Sequence, residues 1–174
     1  MIVAAAIALA SLTLLAMTCS ECGRRIAGWP AVRYFRPEEF DSADEPGSGR
    51  RMMDLAFVSR LDGVRHLLGR PLRVNSGYRT PAHNARIGGV PNSAHTKGLA
   101  ADLHAANYQE QRELVAALRA AGFVRIGQYI TPRGNRFVHV DSDHTRRQSP
   151  WYIVGQSLVD ASHFDSLSRG TRVA

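Results

Sequence analysis

From Arg51 to Leu68 the apolar residues Met52, Leu55, Phe57, Val58, Leu61, Val64, Leu67 and Leu68 recur at intervals of three and four, the repeat of one helix face. Gly69 and Pro71 then supply a stop, so the pattern predicts a core-facing amphipathic helix. The stretch DSADEPGSGR, residues 41–50, is turn-rich and reads as a loop leading into it. PLRVNS (71–76) reads as a short strand. Residues 77–93 are rich in Gly, Pro and Asn and carry no period, which predicts a long ordered loop around a site. Further on, residues 99–104 predict a small strand and Gln109 to Ala121 a helix ended by Gly122. FVRIGQYI (123–130) and RFVHVDS (136–142) predict two more strands, joined by the turn TPRGN. No repeat of fixed period interrupts this order. The pattern therefore predicts one α+β domain, a small antiparallel sheet with flanking helices.

The N-terminus departs from these patterns. Residues 1–18 carry no charged side chain and form an almost continuous apolar run, of a length between a signal-peptide core and a short membrane span. No Lys or Arg precedes the run, whereas Arg24, Arg25, Arg33 and Arg36 follow it, which argues against export of what comes next. A cleaved signal, a membrane anchor, and a true start at Met17 all stay open. The first two place the protein in the periplasm, at the cell wall or on the membrane, and the third in the cytoplasm. Residues 19–33 read as a linker, 34–155 as the main domain and 156–174 as a tail in which SHFDSL is a candidate short helix. Cys19 and Cys22 have the spacing of half a zinc ribbon, but no second pair follows, so they read as part of a flexible flank.

Composition changes this picture little. The 174 residues, 44% of them hydrophobic, suffice for one buried core and exclude two large domains. Against 15 acidic residues stand 22 cations, all arginine except Lys97, for a net charge of +7. Such a surface favours anionic partners. It does not make a nucleic-acid binder, because no basic stripe interleaved with aromatics and no recognition-helix motif accompanies it.

The candidate chemistry lies in two segments. In SAHTKGLAAD (93–102), His95 and Asp102 stand seven residues apart among small residues, and FVHVD (137–141) adds His139 on a predicted strand. Two nitrogens and one oxygen suit a catalytic zinc ion, which takes three protein ligands and leaves a fourth position open. His139 and Asp141 are two apart and share a face of their strand.

In that order and spacing, SGYRTPAHN, SAHTKGLAAD, IGQY and FVHVD resemble the zinc D-alanyl-D-alanine carboxypeptidase family, over roughly residues 34–152. That family includes bacteriophage cell-wall endopeptidases and vancomycin-resistance dipeptidases and shares its fold with the hedgehog signalling domain. The resemblance implies that His95, Asp102 and His139 bind Zn2+ and that Arg79 grips a carboxylate of a peptidoglycan stem peptide. A planar guanidinium fork matches a carboxylate bidentately. Ser93 is a further candidate for the substrate, or a turn residue.

One position departs from the family. Several members carry Glu or Asp three residues before the last histidine ligand, where this chain has Arg136. Asp141 is the best remaining general base, with a competing role as the partner that orients His139, and His104 is another candidate helper. Asp143 and His144 read as loop residues. The expected activity is cleavage of a peptide bond in the stem peptide by a monomeric zinc peptidase. The alternative is a zinc-containing wall-binding domain without activity.

Overall fold

Asp54 divides the first predicted helix. Its carboxylate accepts a hydrogen bond from the Phe57 N–H at 2.8 Å and Met53 ahead of it is extended, so the run forms a short α1 (Ser48–Met52) and a longer α2 (Leu55–Leu68). The computed structural model describes Trp29 and residues 32–170. The expectations for residues 1–18, Cys19 and Cys22 and most of the linker fall outside the described residues. Among the described residues no helix is long and apolar enough to cross a membrane.

After α2 come β1 (Val74–Ser76), α3 (Pro81–Arg86), β2 (Ala100–Ala105), α4 (Tyr108–Ala120), β3 (Arg125–Ile130), β4 (Arg136–Asp141), β5 (Trp151–Val154), β6 (Ser157–Val159) and α5 (Ala161–Gly170). The six strands form one open sheet in the order β1-β2-β4-β3-β5-β6. All pairs are antiparallel except β3 with β5. The sheet runs past residue 155, since β6 pairs with β5 and Phe164 of α5 is buried against Tyr152. A four-residue apolar run such as 151–154 carries too few repeats to announce a strand.

Strand alternation gives the sheet two unlike faces. Ala101, Leu103, Ile126, Val138 and Val140 point to one side, where they join Phe57, Val58, Leu61 and Val64 of α2 and Leu114, Val115 and Leu118 of α4 in the core. Asp102, His104, Phe137, His139, Asp141, Arg125, Gly127 and Tyr129 fall on the other side, in register across β2, β4 and β3. Phe40, Phe35 and Trp29 close one end of the core with ring centroids 5.4 and 5.7 Å apart. One face is thus packed by helices and the other is left for chemistry.

The long segment 77–93 contains the six-residue helix α3. Thr80 caps it, accepting from the His83 N–H at 3.0 Å, and Pro81 occupies the first turn. Its residues are mostly exposed and carry no apolar stripe, so the Thr-Pro pair was its one legible signal.

Candidate metal centre

Three elements carry the candidate ligands to one point. Asp102 on β2 and His139 on β4 are register partners. His95 arrives on a single 3-10 turn, Ala94–Lys97, which Ser93 caps from one end and Gly98 closes at the other. Gly98 has φ 70°, and a Cβ there would lie 1.8 Å from the Met52 carbonyl oxygen, so only glycine lets this turn pack against the end of α1.

His95 Nε2, His139 Nδ1 and Asp102 Oδ1 face one another with edges of 3.2, 3.3 and 2.9 Å. Ligands about 2.0–2.2 Å from a tetrahedral ion lie about 3.3–3.6 Å apart, so the triangle fits such an ion after opening by a few tenths of an ångström. The remaining ring nitrogens settle the tautomers. His95 Nδ1 lies 2.6 Å from the Gly77 carbonyl oxygen and must donate to it, which leaves Nε2 with its lone pair. His139 Nε2 lies 3.0 Å from Asp141 Oδ2, and a proton held there leaves Nδ1 free to ligate. Both histidines are therefore oriented from behind.

The charges around the triangle act on the two histidines in opposite directions. Burial pushes the His95 imidazole down, toward the neutral form that binds metals. For Asp102, burial acts upward but is outweighed by His95 and His139, so the carboxyl stays well below its usual range. Burial acts downward on His139, yet its hydrogen bonds to Asp102 and Asp141 prevail and raise its pKa. Asp141 is itself lowered: burial opposes ionisation, while His139, Arg125 and the Asp143 N–H overcome it.

Asp141 is thus a saturated carboxylate. Arg125 Nε donates to its two oxygens at 2.8 and 3.0 Å, the Asp143 N–H reaches Oδ1 at 3.0 Å, and His139 takes Oδ2. It also stands across the imidazole from the three facing atoms, which meets the general-base reading with a geometric objection. Arg136 is buried on the core face of β4, donating to Gln111 at 3.3 Å. An odd offset of three along a strand reverses the face, so position 136 does not open onto the triangle whatever residue stands there. The absence of an acid at 136 therefore says nothing about a base on the site face.

Arg79 is turned onto the same cluster. Its guanidinium donates to Asp102 Oδ2, opposite the oxygen in the triangle, and to Ser76 Oγ at 2.8 Å. A β-bulge between Val74 and Ser76 makes this contact, because it lets Ser76 stand opposite Asp102 while Val74 faces the core beside Leu103. Ser93 caps the 3-10 turn. His104 lies one step further along β2, opposite Phe137 and away from the triangle. Asp143 is buried and tied to Lys97 at 2.8 Å, and it anchors the loop after β4.

The triangle floors a cleft of about 320 Å3, whose walls include Gly89 and Val90 on one side and Tyr129 and Trp151 on the other. Sequence reading missed Trp151. Its indole lies over Gly127, donates to the Tyr129 hydroxyl at 2.8 Å, and packs 5.4 Å from the His139 ring.

A carboxylate and two oriented imidazoles at the base of an open cleft, on the free face of a mixed sheet, define a metallopeptidase-like centre, and the chain belongs to the Peptidase M15 family, whose model matches residues 33–141. Among curated proteins it is similar to the zinc D-Ala-D-Ala carboxypeptidase of Streptomyces albus G, with 39% identity over 87 residues, 49% of this chain. The match spans 34% of that relative's length.

Proposed function

We propose that this chain is a zinc peptidase that cleaves a peptide bond in peptidoglycan stem peptides, as a D-Ala-D-Ala carboxypeptidase or an endopeptidase, with His95, Asp102 and His139 as its ligands. The observation that carries the reading is the triangle of facing donor atoms, with 2.9–3.3 Å edges, on the floor of a cleft in a chain of this family. The name of the Streptomyces relative supports the metal and the class of substrate. When bound, the ion would supply Lewis acidity toward the scissile carbonyl and make a water far more acidic than in bulk, with a pKa of about 7.

The chain's own residues do the rest. Asp141 fixes the His139 ring through Nε2 and is held in turn by Arg125, while Arg79 fixes Asp102 through its second oxygen. The aromatic wall of Tyr129 and Trp151 excludes water from one side of the cleft and offers a flat surface to the peptide. The proposed activity calls for a protein that reaches the cell wall, exported or membrane-anchored, rather than one that starts at Met17 and stays in the cytoplasm.

Digestion of purified peptidoglycan, followed by mass spectrometry of the new termini, tests the proposal. New peptide termini should form with zinc, disappear with chelator and return when zinc is restored. Zinc binding with no new termini from any wall fragment would overturn the peptidase reading and leave a binding domain.

A further inference from the structure

We propose that a second basin on the site face of the sheet, lined by Arg73, Asn75, His104, Thr131 and Asn135, is a subsite for a carboxylate carried two to three residues from the scissile bond of the same extended peptide. The inference rests on the peptidase reading above. Its first ground is position. Phe137 lines this basin and the metal cleft alike, so the two meet over one ring, which stacks on Tyr129 with centroids 4.4 Å apart. From Asp102 to His104, or from His139 to Phe137, is two strand residues, about 7 Å, and a peptide laid along the strands covers that distance in two residues.

The second ground is chemistry. The basin has a volume of about 320 Å3, and no acidic side chain lines it. Arg73 and Asn75 rise from the edge strand region, His104 from β2, and Thr131 and Asn135 from the hairpin between β3 and β4; the buried Arg136 at the start of β4, which donates to Gln111, also lines it. Arg73 is engaged through its backbone alone, its carbonyl accepting from the His104 N–H at 2.9 Å. Its exposed guanidinium and the side-chain amides of Asn75 and Asn135 make no hydrogen bond within the described protein. By contrast, Arg79 and Arg125 at the metal cleft are both committed to carboxylates of the chain. A planar cationic fork flanked by amide donors, beside a histidine, is a carboxylate-recognising set.

Two synthetic peptides with the same scissile bond test it, one bearing a glutamate three residues before that bond and the other a glutamine. Their affinities for the full-length protein are measured by equilibrium titration with chelator present, so that neither is cut. The wild type should bind the acidic peptide about five- to tenfold more tightly. Arg73→Ala should abolish the difference without weakening the glutamine peptide. Because the Arg73 side chain is exposed, its truncation leaves the core intact, and Asn135→Asp gives a second reading by disfavouring the acidic peptide. Equal affinities in the wild type, or a preference that survives Arg73→Ala, would overturn the subsite. If the preference holds and zinc-loaded protein cuts neither peptide, the subsite stands and the peptidase reading falls. Cleavage of both peptides with no preference gives the reverse.

Discussion

Each candidate ligand of the proposed metal centre is held through its second polar atom. His95 is held by the Gly77 carbonyl, His139 by Asp141 and Asp102 by Arg79. This arrangement separates two roles for Asp141 that strand periodicity leaves joined, since a residue two away from a ligand can touch either the reacting water or the ligand's far nitrogen. If Asp141 positions His139, Asp141→Asn should weaken zinc affinity about 10- to 100-fold, because the imidazole loses its anionic partner and Arg125 is left unpaired. With zinc in excess, kcat should then fall less than about tenfold. Arg79→Ala should weaken zinc binding in the same manner through Asp102. Competition with a chromogenic chelator reads the affinities. Normal zinc affinity in Asp141→Asn with kcat down about a hundredfold or more would instead make Asp141 the proton acceptor. Normal affinity in Arg79→Ala with a raised KM would return Arg79 to the substrate.

At the scale of elements, β3 shapes the cleft through what it lacks. Gly127 lies opposite His139 on one side and Trp151 on the other, and a Cβ at this position would fall 2.4–2.6 Å from three atoms of the indole. The flat face of Trp151, which also stacks on Arg125 at 4.9 Å, depends on that missing methyl group. Gly127→Ala should therefore drive the indole out of the cleft and destabilise the domain by about 1–3 kcal/mol. The checks are a red-shifted tryptophan emission and a lower melting temperature, with Trp29, buried in the core against Phe40, as the other emitter. Unchanged emission and melting would show that the indole does not need the space. Nothing in the string IGQY announces this role. The elements that sequence made legible were those with a long period or a repeated motif: α2, α4, β2, β3, β4 and the His95–Asp102 spacing. What stayed hidden was set by tertiary partners: the break at Asp54, the short polar α3, the parallel docking of β5, and the side of the sheet to which Arg136 turns. A period of two gives relative faces along one strand, but only packing decides which of the two is the core.

Across the whole molecule, α2 and α4 pack one face of the sheet, and segments anchored by carboxylates frame the other. Asp44 binds the Ser42 and Thr80 hydroxyls at 2.6 and 2.9 Å and pairs with Arg86 at 3.3 Å, which ties the N-terminal segment to α3. Asp143 does the same for the opposite rim through Lys97, Thr145 and Arg146. The Ser42 hydroxyl acts most strongly on the Asp44 carboxyl; desolvation opposes it, and Thr80 and Arg86 add to it, so that the pKa falls to about 2. Burial acts upward on Asp143, but hydrogen bonds from Lys97 and Thr145 outweigh it and hold this carboxyl below the usual range. A carboxyl depressed in the folded state contributes stability that is fully present above its unfolded value of about 3.9 and is lost as pH falls through the folded value. The melting temperature, followed in chelator so that metal release does not contribute, should thus stay level with respect to these two groups above about pH 5. It should fall between pH 4 and 2. Asp44→Asn should melt lower than wild type at pH 7 and show a shallower acid slope, because its share of the linkage is gone before titration begins. A wild-type midpoint unchanged from pH 5 to 2, or an Asp44→Asn curve parallel to wild type, would show that these rims do not couple to folding and that the sheet carries the cleft without them.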